Sequence, residues 1–274
     1  MAHQLQSPLR DQAAWVEYLA QVEIPVLPRT ASAIASLAAQ EDTIDAQSIA
    51  AVVVRDPLMC VKLFRHLAEL RRGRQVSDVE NVTGCVVMMG IPPFFRAFAD
   101  LAVVPLAPQA AAAGRSGLAA VLKRAQRASA YASEWAVWRN DLDAEIIGVA
   151  ALLHEFTEML LWHVAPALAA RVEALLAANP GMRSIEAQQL VYNTGVNALQ
   201  HALMLRWRLP ELLIRITDES CAEDPRVRNV NLAVALARHS AAGWSNAALP
   251  DDYEAVGRLL NVSPIQVRLA AMRT

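Results

Sequence analysis

Apolar residues in this chain recur at three- and four-residue intervals, and no segment sustains the apolar–polar alternation of a half-buried strand. That periodicity points to an all-α fold with essentially no sheet. The punctuation agrees. Asp45 reads as an N-cap for a helix over Ala46 to Val54. Asp56-Pro57 is a cap followed by a proline at the first helical position, opening a helix to about Leu70. Other helices are expected over Asp11 to Val22, Thr30 to Ala39, and from Ser77 or Asp78 to Gly90. Pro92-Pro93 opens one running to about Val104, and others cover Leu118 to Arg139, Ala144 to His163 and Pro166 to Ala178. Ser184 opens the next, broken around Asn193-Thr-Gly195 and continuing to Trp207, after which Pro210 starts a further helix. The tail holds helices over Pro225 to Ala242, Tyr253 to Leu260 and Pro264 to Met272. Ile24-Pro-Val-Leu-Pro28 is held extended by its prolines.

With 55% hydrophobic residues, much of it Ala and Leu, the 274-residue chain has enough apolar mass for a sizeable helical core. The Pro-, Ala- and Gly-rich stretch from Pro105 to Gly117 is the best internal boundary, giving an N-terminal lobe over 1–105 and a second over 117–274. A net charge of −2 makes no case for broad nucleic-acid binding. Local basic groups remain: Arg65, Arg71, Arg72 and Arg74 lie close in sequence, as do Arg206, Arg208 and Arg215. The first of these groups is the candidate for a ligand or an acidic partner; the plainer alternative is a solvated helix end, where cations suit the dipole. Cys60, Cys85 and Cys221 have no metal-ligand spacing and fit a reducing cytoplasm. The N-terminus lacks a basic region followed by an apolar run. The apolar stretch Phe94 to Leu122 is interrupted by Asp100, Pro105, Pro108 and Arg115, so no membrane span is expected.

Five stretches in order resemble the HDOD domain, the HD-related output domain of bacterial signalling proteins. They are Ile24-Pro-Val-Leu-Pro28, the pair of helices from Ile49 to Leu63 around Asp56-Pro57, Val76-Ser-Asp-Val with Met89-Gly90, Ala150-Ala-Leu-Leu-His-Glu155, and Trp207-Arg-Leu-Pro210. The resemblance covers roughly residues 20 to 220 and implies a multi-helical HD-like fold, an N-terminal helical lobe packed on an HD-like lobe, with a helical tail beyond about 225. It also implies kinship with metal-dependent phosphohydrolases, in which His and Asp side chains from several helices hold a divalent ion that acidifies a water.

At those positions the chain departs from the pattern. His154 stands where the His of the doublet belongs, and Glu155 replaces the Asp. A later His position is Val196, a paired His position is Ser220-Cys221, and an Asn-Ser position after the third helix is Ala68-Glu69. His154, Glu155 and Glu158, one turn on, are therefore vestigial metal candidates, and the competing reading is a buried helix whose His bonds locally. Trp207 reads as a core anchor. Cys221 beside Asp218 and Glu219 has no His near it in sequence to make a thiol nucleophile. A Gly-rich phosphate loop, a Ser elbow and a Cys-x-x-Cys pair are all missing from the sequence.

The expectation is a non-catalytic regulatory module that needs no cofactor. It would bind signalling proteins, a second copy of itself or a small nucleotide. The alternatives are an HD-type phosphohydrolase acting on a nucleotide, with His154 as a ligand, or a nucleotide sensor using the vestigial pocket.

Overall fold

The computed structural model describes residues 4–71, 81–104, 112–216, 218–221 and 223–273, with 112–116, 212, 216 and 219 described in backbone alone. It is helical throughout. The only pairing of extended backbone among the described residues is an isolated parallel bridge between Val26 and Val103.

Capping chemistry sets many of the helix starts. Asp11 accepts from Ala14 N at the start of α1 (Gln12–Gln21), and Pro28 is the first residue of α2 (Pro28–Ala38). Asp45 accepts from Ser48 N and opens α3 (Ala46–Val53). Asp56 opens α4 (Pro57–Leu70) and is wholly buried. Its carboxylate accepts from Leu58 N at 3.0 Å, Met59 N at 3.3 Å and Leu27 N at 2.7 Å, so one side chain caps α4 and anchors the start of α2. Burial pushes the Asp56 carboxyl up, against the pull of these hydrogen bonds.

The next helices are α5 (Val82–Met89) and α6 (Ile91–Ala97), and the cap expected at Ser77 or Asp78 lies outside the described residues. Gly90, between them, has φ +81, a backbone suited to glycine. The helix expected to run to Val104 stops at Ala97 instead. Beyond it, Ala102 O accepts from Val26 N at 2.8 Å and Val104 N donates to Val26 O at 2.9 Å. The proline-bound segment 24–28 cannot satisfy its own backbone in a helix, and residues 102–104 supply the missing partners.

A long helix, α7 (Ala112–Trp138), begins earlier than its apolar pattern indicated. The helix expected over Ala144 to His163 is two, α8 (Ala144–Leu153) and α9 (Phe156–Val164). Then come α10 (Pro166–Ala178), α11 (Ser184–Tyr192), α12 (Val196–Trp207), α13 (Glu211–Ile216), a short turn over Glu219–Cys221, α14 (Pro225–His239), α15 (Leu249–Leu260) and α16 (Pro264–Ala271). The break between α11 and α12 falls where expected, with Asn193 in the left-handed region.

Contacts group the residues into two compact units, each discontinuous in sequence. One comprises Met1–Ser77, Val82–Val121 and Glu155–Leu209; the other comprises Asp78–Asn81, Leu122–His154 and Pro210–Thr274. The lobes expected at 1–105 and 117–274 divide the chain by composition, whereas contacts unite α9–α12 with the N-terminal helices.

In the first unit the Trp15 ring N–H donates to Tyr192 O at 2.7 Å and meets the Tyr192 ring edge-on, fixing α1 beside the end of α11. Leu58, Val61, Leu63 and Phe64 of α4 and Phe156, Leu160 and Leu161 of α9 form its apolar centre. Gly117 lets the start of α7 lie against Trp162, since a Cβ there would overlap the indole ring. In the second unit Tyr131 stacks on Trp135, and its hydroxyl donates to Ala271 O at 3.1 Å. Asn229 donates to Ala132 O at 3.2 Å, and Arg226 joins Asp143 at 3.0 Å and Asp224 at 3.1 Å.

Candidate functional site

The doublet positions sit at the α8–α9 break. His154 is the C-cap of α8 and Glu155 the N-cap of α9, with exposures of 9% and 5%. Glu158 lies in the first turn of α9 and, like the other two, makes interactions of its own. The position expected to carry a later His, Val196, is the buried first residue of α12. Ser220 and Cys221 lie in the short turn before α14. Among the described residues, no three His, Cys, Asp or Glu side chains gather into a group that could hold a metal ion. A hydrolytic ion needs several such donors at once, and the described residues offer no such set for the divalent ion of the HD enzymes.

The arginines behave differently. Arg65, on α4, and Arg206 and Arg208, at the end of α12, are separated by some 140 positions yet border one cavity of about 170 Å³ in the first unit. Glu17 and Gln21 of α1, Glu69 of α4 and Trp207 complete its polar and aromatic wall. The Arg65 guanidinium lies over the Trp207 ring, 5.4 Å from its centre. It also donates to Val22 O at 3.2 Å and pairs with Glu69 at 3.3 Å. Arg206 lies 3.9 Å from Glu17, and both side chains are more than half exposed. Trp207 is 6% exposed, packs against Phe156, and its buried ring N–H has no acceptor among the described residues.

Local backbone explains how Trp207-Arg-Leu-Pro210 builds this wall. Trp207 ends α12 as a core residue, and Arg208 turns left-handed with φ 53 and ψ 48. Leu209 N then reaches back to Met204 O at 3.0 Å while its side chain is buried. This is a Schellman-type stop, and Pro210 prevents the helix from continuing. The stop leaves the Arg208 side chain exposed at the cavity.

A second cavity, of about 240 Å³, shares Gln21, Arg65 and Glu69 with the first and is bordered by Lys62, His66 and Phe98. Lys62 donates to Ile24 O at 3.0 Å, and burial lowers its affinity for the proton. Burial does the same to His66, whose ring meets Phe98.

Of the arginines noted in the sequence, Arg65, Arg206 and Arg208 border the first cavity. Arg71 caps the end of α4 and is not in the cavity wall, and Arg72 and Arg74 lie outside the described residues. Arg215 belongs to the second unit, where it approaches Asp224 at 3.9 Å. Sequence reading noted both arginine groups and Trp207 but not their meeting.

Residues 24–222 match the HDOD domain family. The chain belongs to the HDOD family. Its fold is similar to that of the MmoQ response regulator of Methylococcus capsulatus, at 19% identity and a TM-score of 0.66 over 89% of this chain and 96% of that one. It is also similar to a virulence factor of Campylobacter jejuni, at 18% identity and a TM-score of 0.63 over 90% of this chain and 89% of that one. No curated protein matches the chain in sequence. The all-α HDOD fold expected from the five stretches is the observed one. Among the described residues no single helix is long and apolar enough to cross a membrane.

Proposed function

We propose that this HDOD chain is a signal-transduction module that acts by binding, not by catalysis. The observation that carries the reading is the α8–α9 break. The doublet there is His-Glu, both residues are buried, and the described His, Cys, Asp and Glu side chains converge on no metal-sized group. An HD-type enzyme spends its protein ligands on a metal and its water, and the described residues offer no such donor set. The fold shared with a protein described as a response regulator supports a place in signalling. Cys60, Cys85 and Cys221 form no disulfide, which agrees with a cytoplasmic setting. Its working contacts are then a signalling protein, a second copy of the chain, or a small ligand.

Elemental analysis of the purified protein beside a His154→Ala variant tests this. The reading expects metal well below one equivalent in both. Near-stoichiometric metal that disappears in the variant would overturn it in favour of a phosphohydrolase.

A further inference from the structure

We infer that the cavity bordered by α1, α4 and α12 binds a phosphoryl group, held by the guanidinium groups of Arg65, Arg206 and Arg208. Planar guanidiniums match the oxygens of a phosphoryl group, and several together favour a dianion over a single carboxylate. The carboxylates now facing them are weak competitors. Glu17 lies 3.9 Å from Arg206 with side-chain exposures of 62% and 53%, and Glu69 is an exposed neighbour one turn from Arg65. Exposed pairs of this kind contribute little, so an incoming oxyanion can displace them.

One further observation favours an anionic oxygen. Arg208 carries no ion pair among the described residues, and its left-handed backbone suits glycine better than arginine. The helix stop alone does not explain a guanidinium there.

Size narrows the class. A cavity of about 170 Å³ is below the roughly 300–1,000 Å³ typical of sites that enclose a whole drug-sized ligand. It accommodates the phosphoryl group, and the remainder of an organic phosphate would lie over the adjoining cavity beside Lys62, His66 and Phe98. The inference rests on the small-ligand branch of the binding reading. Its failure leaves the metal analysis, and hence the non-catalytic reading, untouched.

The test is calorimetric titration of the full chain with inorganic phosphate, against sodium chloride at matched ionic strength. A 5′-nucleoside monophosphate, the parent nucleoside and acetate are run in parallel. Saturable binding of phosphate or the monophosphate is expected, with none for the nucleoside. Tighter binding of the monophosphate identifies an organic phosphate as the source, and equal or tighter binding of phosphate identifies the free ion. Arg208→Gly removes the guanidinium while improving the helix stop, so it should weaken binding by about tenfold or more without lowering the melting temperature. Arg206→Gln should weaken it in the same direction. Absence of saturable binding by either phosphate species, equal affinity for acetate, or undiminished binding in both variants would overturn the inference.

Discussion

The α8–α9 break and the end of α12 both carry stretches that resemble the HDOD family, and they use their polar residues in opposite ways. At the break, His154 and Glu155 are buried, and the described donors gather into no metal-sized group. At the end of α12 the apolar residues, Trp207 and Leu209, are buried, while Arg206 and Arg208 stay exposed beside Arg65 and Glu69. A buried ionisable group is useful to chemistry only when partners are preorganised around it, whereas exposed guanidiniums remain available to a ligand. On the proposed reading the first region contributes to the fold and the second binds.

The sharpest contrast is in stability. Phe156 begins α9 directly after the doublet, is fully buried, and lies 5.7 Å from Trp207. Phe156→Ala should lower unfolding free energy by about 3–5 kcal/mol, read by urea denaturation. A loss under about 1 kcal/mol would mean that this region is not the packed core described. Gly117→Ala comes next, because the new methyl group would overlap the Trp162 ring of α9. Overpacking of this kind costs about 1–3 kcal/mol, and Trp162→Leu in the same chain should recover part of it.

Arg208→Gly should move the other way. Releasing a non-glycine residue from φ 53 should stabilise the protein by about 1 kcal/mol, visible as a raised denaturation midpoint at unchanged slope. A destabilised Arg208→Gly protein would show that the guanidinium serves the fold and would erase the distinction between the two regions. The smallest effect is expected from Glu155→Asp, which restores the His-Asp doublet. Because one doublet does not supply the several donors an ion needs, metal content after incubation with Mn²⁺ or Fe²⁺ should match that of the unaltered chain. Tight metal uptake by Glu155→Asp alone would show that the remaining ligands are already in place.

Much of the architecture was legible because helix stops and starts are local. Asp11, Asp45, Asp56-Pro57 and Pro166 each declare a boundary through their own side chain or ring, and each boundary is found within a residue or two. The misreadings have non-local causes. The stretch from Phe98 to Val104 is apolar enough for a helix, but Ala102 and Val104 pair with Val26, some 75 positions away. The α8–α9 break is hidden because apolar periodicity runs on through Leu152, Leu153, Phe156 and Leu160 on both sides of it. The candidate metal residues were visible as a motif, whereas the Arg65–Trp207–Arg208 cavity was not, since α4 and α12 meet only through tertiary packing. Its parts were visible in the sequence only as two separate arginine groups and a basic residue within a helix-stop motif.

The most direct test of the claim that this chain binds and does not catalyse is a hydrolysis assay. Phosphomonoester and phosphodiester substrates, nucleotides among them, are incubated with the purified chain in Mn²⁺, Fe²⁺, Mg²⁺ or Zn²⁺, with His154→Ala alongside. The account predicts no turnover above the variant with any metal. Metal-dependent turnover that is lost in His154→Ala would contradict it.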